Sequence, residues 1–84
     1  MLYLPVRDLP DGAQLAEVKL LADGRKALLA YTALDRLATH CGEKQPWVLF
    51  PTERIGEIRQ EQPFDLVVFD IPVPAALRQD GRIA

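Results

Sequence analysis

The chain has 84 residues, 49% of them hydrophobic and 26% charged, a globular composition that fits one small domain rather than a disordered or coiled-coil chain. Ten Lys and Arg against twelve Asp and Glu give a formal net charge of -2. No basic excess neutralises phosphates, so neither a nucleic-acid partner nor a membrane partner is expected. One Cys and one His make neither an internal disulfide nor, unaided, a structural zinc site, and no cofactor is expected.

Leu2, Leu4 and Val6 alternate with Tyr3, Pro5 and Arg7, the period of a half-buried strand. Pro5 lacks a ladder N–H, which puts this strand at a sheet edge or leaves one of its sides unpaired. Asp8-Leu9-Pro10-Asp11-Gly12 is turn chemistry, and Val18 and Leu20 alternating with Glu17 and Lys19 make a second strand with one wet face. Asp23-Gly24 signals a hairpin into a third run, Lys26 to Tyr31, apolar at both parities and therefore central in the sheet.

Thr32 reads as a helix N-cap with Asp35 three residues on, and Leu34, Leu37, Ala38 and Cys41 form one amphipathic stripe that stops at Gly42. Trp47 to Phe50 is a short strand closed by Pro51, and Thr52 caps a weaker helix, Glu53 to Gln60, which Gly56 costs roughly 1 kcal/mol relative to Ala. Phe64 to Asp70 is the last strand, after which Pro72 and Pro74 end the sheet. The expected fold is α+β: a mixed sheet of about five strands in the order β-β-β-α-β-α-β, with two helices packed on it. Residues 1–72 form the domain and residues 73–84 a Pro-containing tail, loose from Gln79 to Ala84. The longest apolar stretch, Ala27 to Leu34, falls far short of a membrane span, and the first residues lack the basic and apolar regions of a signal peptide, so the expected compartment is the cytoplasm.

His40 and Cys41 are the candidates for nucleophilic chemistry, but neighbours on a helix point about 100° apart. Cys41 completes the apolar stripe at the C-terminal end, where the helix dipole opposes a thiolate, and this marks it as core. Asp65 and Asp70 bracket the last strand, ~16–17 Å apart on opposite faces, too far to share a proton. Five single glycines form no phosphate-binding loop. No catalytic, cofactor or metal residues are assigned. Trp47 reads either as a core anchor beneath the first helix or as a partner-facing hot spot.

Tyr31-Thr32-x-x-x-Arg36-Leu37 followed by Gly42-x-x-Gln45-Pro46-Trp47-Val48 resembles the small actinobacterial proteins related to the N-terminal domain of SseB, the enhanced serine sensitivity protein. Tyr3-Leu4-Pro5-Val6 is similar to that group's opening strand. Val67 to Pro72 is similar to its closing V-x-D-P segment, with one extra residue between Asp70 and Pro72. The resemblance spans residues 2 to 72. It implies an α+β domain that brings no catalytic residues with it, sometimes found in proteins associated with type VII secretion.

The function expected is a non-catalytic cytoplasmic protein-interaction or accessory module, its partner another protein or a second copy of itself. The candidate contact residues are Leu2, Leu4 and Val6 at the edge, Trp47, and Pro72, Val73 and Pro74 in the tail. A small-molecule sensor with a pocket between sheet and helices is the alternative, although so small a core leaves little room for a cavity of ~300 Å³. A small enzyme using Cys41 or His40 is the third reading.

Overall fold

Two hairpins begin the fold. A computed structural model describes residues 1–84. β1 (Leu2–Asp8) turns back into β2 (Gln14–Ala16), which runs through Glu17 into β3 (Val18–Leu20). The Asp23-Gly24 turn, in which Asp23 Oδ1 accepts the Arg25 N–H at 3.0 Å, leads to β4 (Lys26–Ala30). There follow α1 (Leu34–Cys41), β5 (Trp47–Phe50), a 3₁₀ turn at Thr52–Arg54, α2 (Ile55–Glu61) and β6 (Leu66–Phe69). A second 3₁₀ turn and a small hairpin, β7 (Arg78–Gln79) and β8 (Arg82–Ile83), complete the chain. The architecture is α+β with mixed pairing: β1 is antiparallel to β2 and β5, β3 is antiparallel to β4, and β4 is parallel to β6.

Glu17 joins the two main sheets. Its N–H donates to the Pro5 carbonyl and its carbonyl accepts from Leu29 N–H, at 3.0 and 3.1 Å, so one bent strand serves β1 with its first half and β4 with its second. Its buried carboxylate is paired with Arg7 at 3.0 Å and Lys19 at 3.2 Å, the partners a buried charge requires. A bridge between Tyr3 and Tyr31 closes the triangle.

β1 therefore lies inside the sheet, not at its edge. The even residues direct their backbone groups to β5, as the Val6 N–H to Pro46 carbonyl bond shows, and the odd residues turn to Tyr31 and Glu17. Pro5 sits where β1 changes neighbour from Tyr31 to Glu17 and supplies only a carbonyl there, so its missing N–H costs no ladder bond.

The faces of the sheet carry separate cores. Leu29, Tyr31, Leu37, Cys41, Val73 and Ile83 form one buried cluster, with Tyr3 packed on it. Leu2, Leu4 and Ala30 form the other, flanked by the half-buried Ile55 and Ile58 of α2. The α1 N-cap is Ala33, with no side-chain cap. Thr32 instead binds Asp70 at the end of β6: its N–H donates to Oδ1 at 2.9 Å and its hydroxyl to Oδ2 at 2.7 Å, while Arg36 donates to Oδ2 at 2.9 Å. These donors hold the Asp70 carboxyl below the usual range, and Asp70 itself adopts the left-handed φ of 55° that Asp tolerates.

The segment expected as a loose tail is folded. Val73 and Ile83 are buried in the α1 core, and four anchors hold the hairpin. Lys44 N–H donates to Gly81 carbonyl at 2.9 Å, Ala84 N–H to Leu77 carbonyl at 2.9 Å, Arg7 to Ala84 carbonyl at 2.6 Å, and Ile83 N–H to Gln45 Oε1 at 2.8 Å. The approach is close: Gly42 has φ 124°, and a Cβ there would collide with the Gly81 carbonyl. The sequence pattern of polar residues around Gly81 reads as loose because the partners outside the segment, Arg7, Lys44 and Gln45, lie far upstream where a local pattern does not reveal them.

Candidate functional site

Gln45 determines how β5 is presented. Pro46 has no N–H to give the Val6 carbonyl, and the Gln45 amide supplies the missing donor at 2.9 Å while its oxygen takes Ile83 N–H. At 5% exposure this side chain satisfies groups that water cannot reach. β5 is thereby fixed against β1 with Val48 and Phe50 bonding inward, and the N–H and C=O groups of Trp47 and Leu49 face away from the sheet.

The outward side of β5 is an open edge with an apolar surface beside it. Trp47 is 42% and Leu49 46% exposed. Trp47 stacks edge-on against Tyr3, with ring centroids 5.4 Å apart, and Leu49 lies opposite Tyr3 in the register. Tyr3, Trp47 and Leu49 thus form one apolar patch on the α1 side of the sheet, rigid because it is built on paired strands. Across the strand Arg54 lies over the Phe50 ring, 5.8 Å from its centroid.

The other edges differ. At β2, the Gln62 side chain accepts from Ala16 N–H at 2.9 Å and donates to Ala16 carbonyl at 3.0 Å, capping that residue, while Val18 and Leu20 further along the same bent strand face outward beside the ion-paired Glu17 and Lys19. At β6, Asp65 and Asp70 stand at the two ends of the strand, with Asp65 accepting from Lys26 N–H and Asp70 held by Thr32 and Arg36, and Phe69 is 51% exposed. Edges guarded by charges or side-chain mimics resist strand addition. β5 carries no such guard between Gln45 and Pro51.

The sequence-derived contact residues fall into two groups. Leu2, Leu4, Val6 and Val73 are buried and present nothing to a partner; Pro5 within a strand suggested an edge, and the bent β2–β3 strand covers it. Trp47, Pro72 and Pro74 are exposed. Leu49 was missed, because an all-apolar run of four does not say which parity faces solvent. Pro51, whose position faces the outward edge and lacks a donor, was the available signal that β5 borders the sheet.

Cys41 is fully buried beneath α1, and burial pushes its thiol up, away from the thiolate form. Tyr31 beside it is likewise pushed up by burial and donates to the Ile71 carbonyl at 2.7 Å. His40 is half-buried, its ring 6.2 Å from that of Tyr31, and its carbonyl accepts from Val73 N–H. No three His, Cys, Asp or Glu side chains converge as metal ligands, and no helix is long and apolar enough to cross a membrane. Between α2 and the sheet lies a cleft of about 320 Å³ floored by Leu4, Val6, Val48 and Phe50, with Glu61 and Gln62 at its rim. No family model, no curated protein and no solved structure matches the chain.

Proposed function

We propose that the chain is a non-catalytic, cytoplasmic protein-interaction or accessory module whose docking element is the open edge of β5 with its Tyr3–Trp47–Leu49 patch. The observation that carries this reading is the β5 edge itself: the backbone groups of Trp47 and Leu49 face outward beside an exposed Trp, no side chain caps them as Gln62 caps Ala16 of β2, and no ionisable side chain lies between Gln45 and Pro51. Strand addition takes affinity from main-chain hydrogen bonds and selectivity from the flanking side chains, and Trp is favoured at the centre of such contacts. Burial of the thiol in the core supports the non-catalytic part. The likeness to the SseB N-terminal family belongs to the same proposal and rests on its sequence motifs alone.

Affinity capture from the host with wild-type, Trp47→Ala and Leu49→Lys baits tests the reading. Wild-type protein recovers a companion that Leu49→Lys loses and Trp47→Ala recovers at least tenfold less well. Equal recovery by all three baits, each with native near-ultraviolet circular dichroism, contradicts β5 as the docking element.

The cleft under α2 favours a second reading, a site for a small amphiphile whose cationic end meets Glu61. A thermal-shift series with medium-chain alkylamines, run on wild type and Ile58→Trp, decides it. Stabilisation of wild type that the cleft-filling variant lacks supports the site, and no stabilisation of either removes it.

A further inference from the structure

We propose that the occupant of the β5 edge is a second copy of this chain, paired antiparallel through β5 about a two-fold axis at Val48; this rests on the β5 edge being the docking element. The outward backbone groups are symmetric about Val48. With that register the N–H and C=O of Trp47 meet those of Leu49 in the second copy, and the reverse pair repeats across the axis, closing the ladder from both sides. Pro51 has no N–H to continue the edge beyond Leu49, so a strand of the same short length matches it.

No charge opposes this pairing. Residues 45–51 carry no ionisable side chain, so two β5 edges meet without repulsion even though each chain has a net charge of -2. β5 against β6 would leave each copy a free edge and grow an open array, whereas β5 against β5 closes at two. The side chains agree: Trp47 of each copy covers Leu49 of the other on the α1 side, and the Val48 pair covers the axis on the α2 side. An edge of four residues lies at the small end of interface sizes, the class of weak and reversible associations.

Sedimentation equilibrium over roughly micromolar to millimolar protein, with oxidative cross-linking, tests the pairing. The weight-average mass rises from 9.4 kDa toward twice that value with concentration, and Leu49→Lys weakens association at least tenfold. Val48→Cys cross-links to itself under mild oxidation, because non-hydrogen-bonded partners across an antiparallel pair have Cβ atoms ~4.5–5.5 Å apart. Phe69→Cys does not cross-link, and the buried Cys41 stays silent in both. A mass fixed at 9.4 kDa with no Val48→Cys cross-link overturns the pairing. If Leu49→Lys then still loses the companion captured from the host, the docking edge survives and only its occupant is different. Preferential cross-linking through Phe69→Cys also overturns the proposal, in favour of β6.

Discussion

On one face of the sheet, α1 and the C-terminal hairpin press Leu37, Cys41, Val73 and Ile83 onto Leu29 and Tyr31, all of them buried. On the opposite face α2 contributes Ile55 and Ile58, neither fully buried, and a cleft of about 320 Å³ remains beneath it. Each fully buried aliphatic side chain stabilises a fold by ~1.5–3 kcal/mol. The difference lies in the covering elements: α1 and the hairpin contribute fully buried side chains, whereas α2 contributes only half-buried ones. α2 is tied down at its ends, by Arg54 over Phe50 and by Gln62 on the β2 edge, more than along its length. β5 borders both faces, and its attachment to β1 is secured by Gln45 from the well-packed side.

Leu37→Ala breaks this contrast most strongly. It opens a cavity in the larger cluster and lowers unfolding stability by about 3 kcal/mol, read as a drop in the urea midpoint at unchanged slope. Gln45→Ala follows, at about 2 kcal/mol, because the Val6 carbonyl and Ile83 N–H both lose a buried partner. Its signature is local: amide exchange at Ile83 accelerates before that at Leu29 does, as the hairpin detaches first. Ile58→Ala costs about 1 kcal/mol, since the side chain is already half solvated. An Ile58→Ala cost equal to that of Leu37→Ala would remove the difference between the faces.

Asp70→Asn has the smallest effect, about 1 kcal/mol or less near neutral pH. Asn accepts the left-handed backbone as Asp does, so the substitution tests the carboxylate alone. The folded state holds the Asp70 carboxyl below its ordinary value of 3.8, first through the Thr32 hydroxyl and then its N–H, with Arg36 adding to them. The stabilisation is complete above that ordinary value and is lost as pH falls through it toward the lower folded value. Wild type and variant therefore differ at pH 7 and converge in acid. A difference that persists below the folded value contradicts the clamp at the start of α1.

Much of the framework was legible in the sequence. The apolar run at Lys26–Tyr31, the Asp23-Gly24 hairpin and the Leu37/Cys41 stripe depend on local periodicity and turn chemistry, and each stands where periodicity places it. What was illegible depends on distant partners. Pro5 looked like an edge because only the bend at Glu17 shows how a central strand can dispense with one donor. Thr32 looked like a cap because Asp70, which captures it, lies 38 residues away. The hairpin at Arg78–Ile83 depends on Arg7, Lys44 and Gln45. At the candidate site, Trp47 was identifiable by residue type, but Leu49 required the register of β5 on β1.

Residue-resolved amide hydrogen exchange along β5, recorded at low and high protein concentration, tests the central claim most directly. The account predicts that Val48 and Phe50, bonded inward to β1, are protected at both concentrations, and that Trp47 and Leu49 exchange freely when dilute and become protected when concentrated. Trp47 and Leu49 amides that exchange freely at every concentration, with or without a captured companion, would contradict it.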